Sequence, residues 1–140
     1  MIKMRFGWRD RPGMTAEECE AHYRSVHMEL ARAGFDGVDG FIAVAYERVR
    51  SAAVNDFNRP ERREVVPDFD AFCELYFRDA TSMQAAFARP QLAAMFEDHV
   101  NFMDTEIESN VRIYEVEETV FFGARPDPTS SASQSERTVP

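Results

Sequence analysis

Residues 15–34, TAEECEAHYRSVHMELARAG, decide how the rest of the chain is read. Thr15 can accept a backbone N–H from three residues on, and Glu18 can reach back to form a capping box. Pro12-Gly13 makes a turn just before, and Gly34 is a natural terminating glycine just after. At about 100° per residue, Cys19, Tyr23, Val26, Leu30 and Ala33 form one apolar stripe. His22 and His27 fall on opposite shoulders of that stripe, about 140° apart in projection. Two imidazoles so divergent do not chelate one ion readily.

Working outward, Ile2, Met4, Phe6 and Trp8 alternate with Lys3, Arg5 and Gly7, the pattern of a strand with one buried face. Residues 41–49 read as a second strand, with Phe41, Ala43 and Ala45 on one face and Ile42, Val44 and Tyr46 on the other. Residues 50–68 carry two prolines and no sustained period, so they read as a structureless loop able to close over a pocket. Arg59, Arg62 and Arg63 in that loop read as solvated surface or as a substrate anchor. Residues 71–77, AFCELYF, form a third strand. Glu74, its one acid, either faces water or works as a carboxylate; the edge reading is the plainer one. A short helix over 81–88 precedes Pro90, which suits the first turn of another running to about Asp104. Leu92, Met95, Phe96, Val100 and Met103 are the apolar stripe of that second piece. Residues 111–122 make a fourth strand, and 123–140, rich in Pro, Ser and Thr, read as a disordered tail.

The order is strand, helix, strand, strand, helix, strand, an α+β ferredoxin-like β-α-β-β-α-β domain over residues 1–122. Its four-stranded antiparallel sheet carries helices on one side. The other face, rich in aromatic residues, needs a cover, and a second copy is the simplest. A homodimer is expected.

A chain of 140 residues with net charge −9 supports one domain and argues against nucleic acid or an anionic membrane as partner. No apolar run approaches the ~20 residues of a membrane span. The alternating, soon charged N-terminus does not read as a signal peptide. Cys19 and Cys73 read as reduced core thiols of a cytoplasmic protein. No spacing of His, Cys and carboxylates suggests a metal site, and no phosphate loop suggests a nucleotide.

MIKMRFGWRDRPGMTAEECEAHYRSVH resembles the opening of the EthD family of dimeric α+β-barrel proteins. That opening is a strand, an R-x-PG-M-[ST] turn and a helix bearing [HY]-[WY]-x-x-x-H. FDAFCELYF is similar to the family's F-D-x-x-x-E-x-[WY]-F strand, and FEDHVNFMD to the end of its second helix. The likeness spans about residues 1–122. Here Met28-Glu29 follow His27 in place of the family's usual Gly-Pro. Phe41 stands where similar muconolactone isomerases have a tyrosine, and the 50–68 loop lacks their further histidine. The resemblance implies a small-molecule pocket between sheet and helices, with His27 facing it.

Acid–base chemistry on a hydrophobic, carbonyl-bearing small molecule is the function this reading supports, and it needs no cofactor. Histidine can both take and give a proton near neutrality. His27 is the expected acid–base group, with Asp104, the acid matching the family's aspartate, or His99 as its partner. Trp8, Tyr23, Phe41, Tyr76 and Phe102 are the candidate substrate-binding residues, each with core packing as the plainer alternative. His22 reads as a bystander. Isomerisation, cyclisation or dehydration fits this chemistry. A cofactor-free monooxygenase and a non-catalytic carrier serving an oxidase are the alternatives.

Overall fold

The computed structural model describes residues 1–55 and 60–124. Four antiparallel strands form the sheet: β1 (Ile2–Trp8), β2 (Phe41–Arg48), β5 (Ala71–Phe77) and β6 (Val111–Val116), in the order β2-β5-β1-β6. Between β2 and β5 lies a separate two-stranded ladder of β3 (Ala52–Asn55) and β4 (Arg62–Val65). The loop reading of 50–68 is corrected here. Each of these strands is only four residues long, too short to leave a visible period. Arg62 and Arg63 belong to β4, and Arg59 lies outside the described residues. The last strand ends at Val116, short of the expected residue 122; Phe121 and Phe122 beyond it are exposed. Most of the expected tail, 125–140, also lies outside the described residues.

The first helix is continuous but not uniform. An α-helix, α1 (Ala16–His22), passes through a π-helical turn (Tyr23–His27) into α2 (Met28–Phe35). Thr15 caps it: its hydroxyl oxygen accepts from the Glu18 backbone N–H at 3.1 Å and its O–H donates to the Glu18 carboxylate at 3.2 Å. The Met28 N–H bonds to the Tyr23 carbonyl, five residues back, so one extra residue is wound into this turn. The buried set therefore runs Cys19, Tyr23, His27, Ala31, Gly34, one position later than the expected stripe from the turn onward, with Phe35 buried beside it. Val26 is left exposed, and His27 moves from a shoulder into the buried centre.

The second helical region is also irregular. After α3 (Ala80–Phe87), capped by Asp79, a 3₁₀ turn at Pro90–Leu92 leads into α4 (Ala93–Asp98). A further 3₁₀ turn follows at His99–Asn101. Leu92, Met95, Asp98, Phe102 and Met103 are buried, whereas Phe96 and Val100 of the expected stripe are exposed.

Strand β2 carries the sheet's own insertion. Its pairing with β5 shifts between Phe41 and Ala43, a β-bulge at Ile42. Phe41 consequently packs on the core together with Val44 and Tyr46, and Ile42 is exposed. The expected faces of this strand hold only after the bulge.

Helices cover one sheet face, where Trp8, Tyr23, Phe77, Leu92 and Phe102 are almost fully buried. Burying a large apolar side chain contributes about 1.5–3 kcal/mol each. The other face carries Lys3, Arg5, Phe72, Glu74 and Tyr76 by register. Glu74 is in a central strand, not at an edge, and is only 8 % exposed. It accepts hydrogen bonds from the Tyr76 hydroxyl at 2.5 Å and Lys3 Nζ at 3.2 Å. Burial opposes its charge, but Tyr76 and Lys3, with Arg5 nearby, outweigh that and hold its carboxyl below the ordinary value.

Gly34 marks the closest approach of α2 to the Pro90–Leu92 turn, where a Cβ would run into the Leu92 side chain. Leu92 is fully buried and has no room to retreat. Gly34→Ala should lower the unfolding free energy by about 1–3 kcal/mol through overpacking; urea denaturation would measure it.

Candidate active site

The π turn and the 3₁₀ turn after α4 bring three polar side chains together that regular helices would have splayed. His27 Nδ1 lies 2.9 Å from Asp98 Oδ2, and His22 Nε2 lies 2.8 Å from Asp98 Oδ1. Asn101 Nδ2 donates to the same Oδ1 at 2.9 Å. His22 and His27, divergent on an α-helix, are brought by the extra residue onto one side, because across a π turn i and i+5 stand much as i and i+4 do in an α-helix. Asp98 is thus clamped by three groups.

Burial raises the Asp98 pKa, but hydrogen bonds from Asn101, His22 and His27 outweigh it and hold the carboxyl below its ordinary range. Asp98 therefore stays ionised and accepts from both imidazoles. On His27 this places the neutral-state proton on Nδ1 and leaves Nε2 as the basic nitrogen. Burial pushes the His27 imidazole down, against the pull of Asp98. His99, with its ring 5.0 Å from that of His27, is pushed down to about 4 by burial and by the His27 charge.

His27 lines a small cavity together with Trp8, Tyr23, Cys73, Met95 and His99. It admits the centre of a water-sized sphere over about 20 Å³, room for roughly one water molecule. Tyr23 stacks on His27 at 5.3 Å and on Trp8 at 5.5 Å, and Phe102 meets His27 edge-on at 4.7 Å. The Trp8 indole N–H is buried without a hydrogen-bond partner among the described residues, and the buried Tyr23 hydroxyl faces the Cys73 thiol. Two donors and one base therefore meet at a nearly apolar cavity. Met28, Ala31 and Val44 are shared with an adjoining cleft of about 450 Å³ between α2 and β2, which Phe41 also lines.

Of the expected site residues, Trp8, Tyr23, His27, His99 and Phe102 come together, and Phe41 lines the adjoining cleft. Two do not join them. Tyr76 lies on the opposite face of the sheet, because it alternates with the core-facing Leu75 and Phe77. Asp104 follows the 3₁₀ turn and closes a local turn, accepting from the Glu106 N–H at 3.2 Å and Asn110 Nδ2 at 2.8 Å. Asp98, not Asp104, is the carboxylate within hydrogen-bond distance of His27, and His22 contacts the same carboxylate. One signal pointed to Asp98: it follows the buried Met95 by three residues, a polar side chain next to an apolar stripe. None of the described residues of the 50–68 segment lines this cavity. Ala52 and residues 67–69 line a groove with Arg5, Phe72 and Tyr114 on the opposite sheet face. Among the described residues no three His, Cys, Asp or Glu side chains are arranged to hold a metal ion. Cys19 and Cys73 are buried free thiols. No described helix is long and apolar enough to cross a membrane.

The sequence model of the EthD domain matches residues 11–106. Among solved structures, the chain is similar to an EthD-like protein of Ralstonia eutropha, with 20% identity and a TM-score of 0.59 over 89% of this chain and 96% of that one. An EthD family protein of Bacillus halodurans gives 19% identity and a TM-score of 0.54, over 85% and 100% of the two chains. A dimeric ferredoxin-like protein of unknown function from Bacteroides fragilis gives 11% identity and 0.53, over 84% and 95%. At these identities the likeness shows the fold. Among curated proteins none matches.

The buried histidines give a pH signature. His99 has an ordinary value of 6.5 unfolded and about 4 folded, so its stabilising share is complete above about 6.5 and is lost as pH falls towards 4; His27 acts in the same sense. Between pH 7 and 4 the His99 share should amount to about 2–3 kcal/mol. Urea denaturation across this range should show a steep loss in the wild type and a shallower one in His99→Phe; equal slopes would contradict the assignment.

Proposed function

Because the chain belongs to the EthD family, with a buried imidazole at a nearly apolar cavity, we propose that it is a cofactor-independent enzyme. Its substrate would be a hydrophobic, carbonyl-bearing small molecule, and its reaction an isomerisation, cyclisation or dehydration. The observation that carries this reading is the His27–Asp98 pair at the cavity wall. Asp98 holds the Nδ1 proton, so Nε2 of His27 is the group that takes a proton from a carbon acidified by a neighbouring carbonyl. Desolvation keeps the resting imidazole neutral and ready to accept. As charge grows on the substrate oxygen, the unpartnered Trp8 N–H, and the Tyr23 O–H by turning from the Cys73 thiol, are donors able to stabilise it. The imidazolium then returns the proton at the new position.

The cavity is much smaller than a substrate. Binding in this reading widens it along the α2–β2 cleft, where Met28 and Val44 stand between the two spaces. A methionine side chain re-packs easily, which suits it to such a wall. The enzyme would work as a homodimer paired through the sheet face that carries Phe72, Tyr76 and Tyr114. The dimeric relative of the same fold and the half-buried Phe72 and exposed Tyr114 of that face support this.

Deuterium uptake into the acidic C–H positions of a panel of cyclic ketones, anthrones and lactones in D₂O, followed by NMR, tests the chemistry. His27→Ala should slow exchange by about 10²–10⁴-fold, and Asp98→Asn should slow it as well. Quenching of Trp8, the sole tryptophan, reports binding independently. Binding retained with exchange unchanged in His27→Ala would make the protein a carrier. Turnover that needs oxygen would place it with cofactor-free monooxygenases instead.

A further inference from the structure

Asp98 has two carboxylate oxygens, and each faces a different histidine. Oδ2 is held by the buried His27, whose side chain is 6 % exposed, and Oδ1 by His22, whose side chain is 22 % exposed. One imidazole faces the cavity and the other reaches the protein surface. The π turn is what places both on one carboxylate, and His22 is fixed there by its stacking on Phe102 at 5.8 Å. The acid–base chemistry set out above needs only one of the two.

We propose that His22 is a positioning residue that governs His27 through their shared carboxylate, Asp98. With His22 neutral, its Nε2–H donates to Oδ1, locks the carboxylate orientation and leaves Oδ2 aimed at His27 Nδ1. With His22 protonated, the same contact becomes an ion pair that neutralises much of the Asp98 charge. The new cation also repels a proton arriving on His27. Both effects make the buried imidazole a poorer proton acceptor, so solvent acidity reaches a group that solvent itself barely touches. The charges bearing on His27 are Asp98, which favours its protonation, and His22, which opposes it. His99 lies on the other flank of the His27 ring and is itself opposed by the His27 charge. Asn101 also binds Oδ1 but cannot change charge, so His22 is the variable member of the clamp.

The inference rests on the catalytic reading of His27 only for its consequence in turnover; the coupling itself is read without substrate. Ring-nitrogen NMR titration of the full chain would follow each histidine separately. In the wild type, the Nδ1 proton of His27 should shift in step with the titration of His22. In His22→Gln, and in His22→Phe, which keeps a ring on Phe102, the His27 titration should move to higher pH. In Asp98→Asn it should move lower, with loss of the Nδ1–H preference. A His27 titration that stays put in both His22 variants, or a wild-type Nδ1 proton indifferent to His22, would overturn the proposal. Loss of the deuterium-exchange chemistry in His27→Ala is a separate readout, so the failure of either reading is recognisable alone.

Discussion

A carboxylate removed from water must be surrounded by donors, and the buried Asp98 meets that condition with three. Removing one partner from a buried ionic cluster typically costs about 3–5 kcal/mol, a large share of the stability of a single domain. Much of the helical layer can be understood from this demand. The donors lie on two elements far apart in sequence, so the first helix must carry both imidazoles to the same place. A regular α-helix cannot do so with residues five apart. The π turn at Tyr23–His27 gives up ideal hydrogen-bond geometry for one turn and gains two contacts to the carboxylate. On the other side, the chain tightens into a 3₁₀ turn at His99–Asn101, which lets Asn101 reach back to Asp98 from three residues on.

The sheet answers the same physical requirement on its far face by a different route. Glu74 sits in a central strand, and its neighbours across the ladders provide the compensation: Lys3 and Tyr76 donate to it, and Arg5 lies over the Phe72 ring at 4.1 Å. Two acids are therefore buried on the two sides of one sheet. Asp98 is tied to two imidazoles, a group able both to take and to give a proton, and Glu74 to an ammonium and a phenol. Such a division suits a working site on the helix side and a fixed, structural arrangement on the other.

The strands β1 and β5, the capped start of the first helix and the ferredoxin-like order were legible because they depend on local rules: alternation, a Thr-x-x-Glu cap and Pro–Gly punctuation. What escaped the reading shares one cause. The π turn, the β-bulge at Ile42 and the 3₁₀ turn at His99 each alter the winding by about one residue, and a fixed period of 3.6 or 2 cannot register that. The extra residue moved His27 from a shoulder to the buried line, and the bulge moved Phe41 to the core. Asp98 was passed over in favour of Asp104 because the helix was extended through a turn where it ends. The β3–β4 ladder was missed for a simpler reason, since four-residue strands joined by a long connection leave too little alternation to detect.

Those same irregularities bear on how a ligand could enter. A cavity holding about one water is sealed on the core side by Trp8, Phe6 and Leu75, which stand on the central strands and cannot move without breaking the sheet. Met95, Phe96 and His99 of α4 and the turn after it close another side, and a further wall runs along α2 and β2, just past the π turn and the β-bulge. Met28 is the first residue beyond the π turn and lies between the cavity and the larger cleft. Re-packing of the Met28 side chain would open the wall beside His27 while leaving Asp98 and its clamp in place, so His27 would keep its orientation as the pocket enlarges. The extra residue that brings His22 and His27 to one carboxylate thus also sets Met28 at the wall between cavity and cleft.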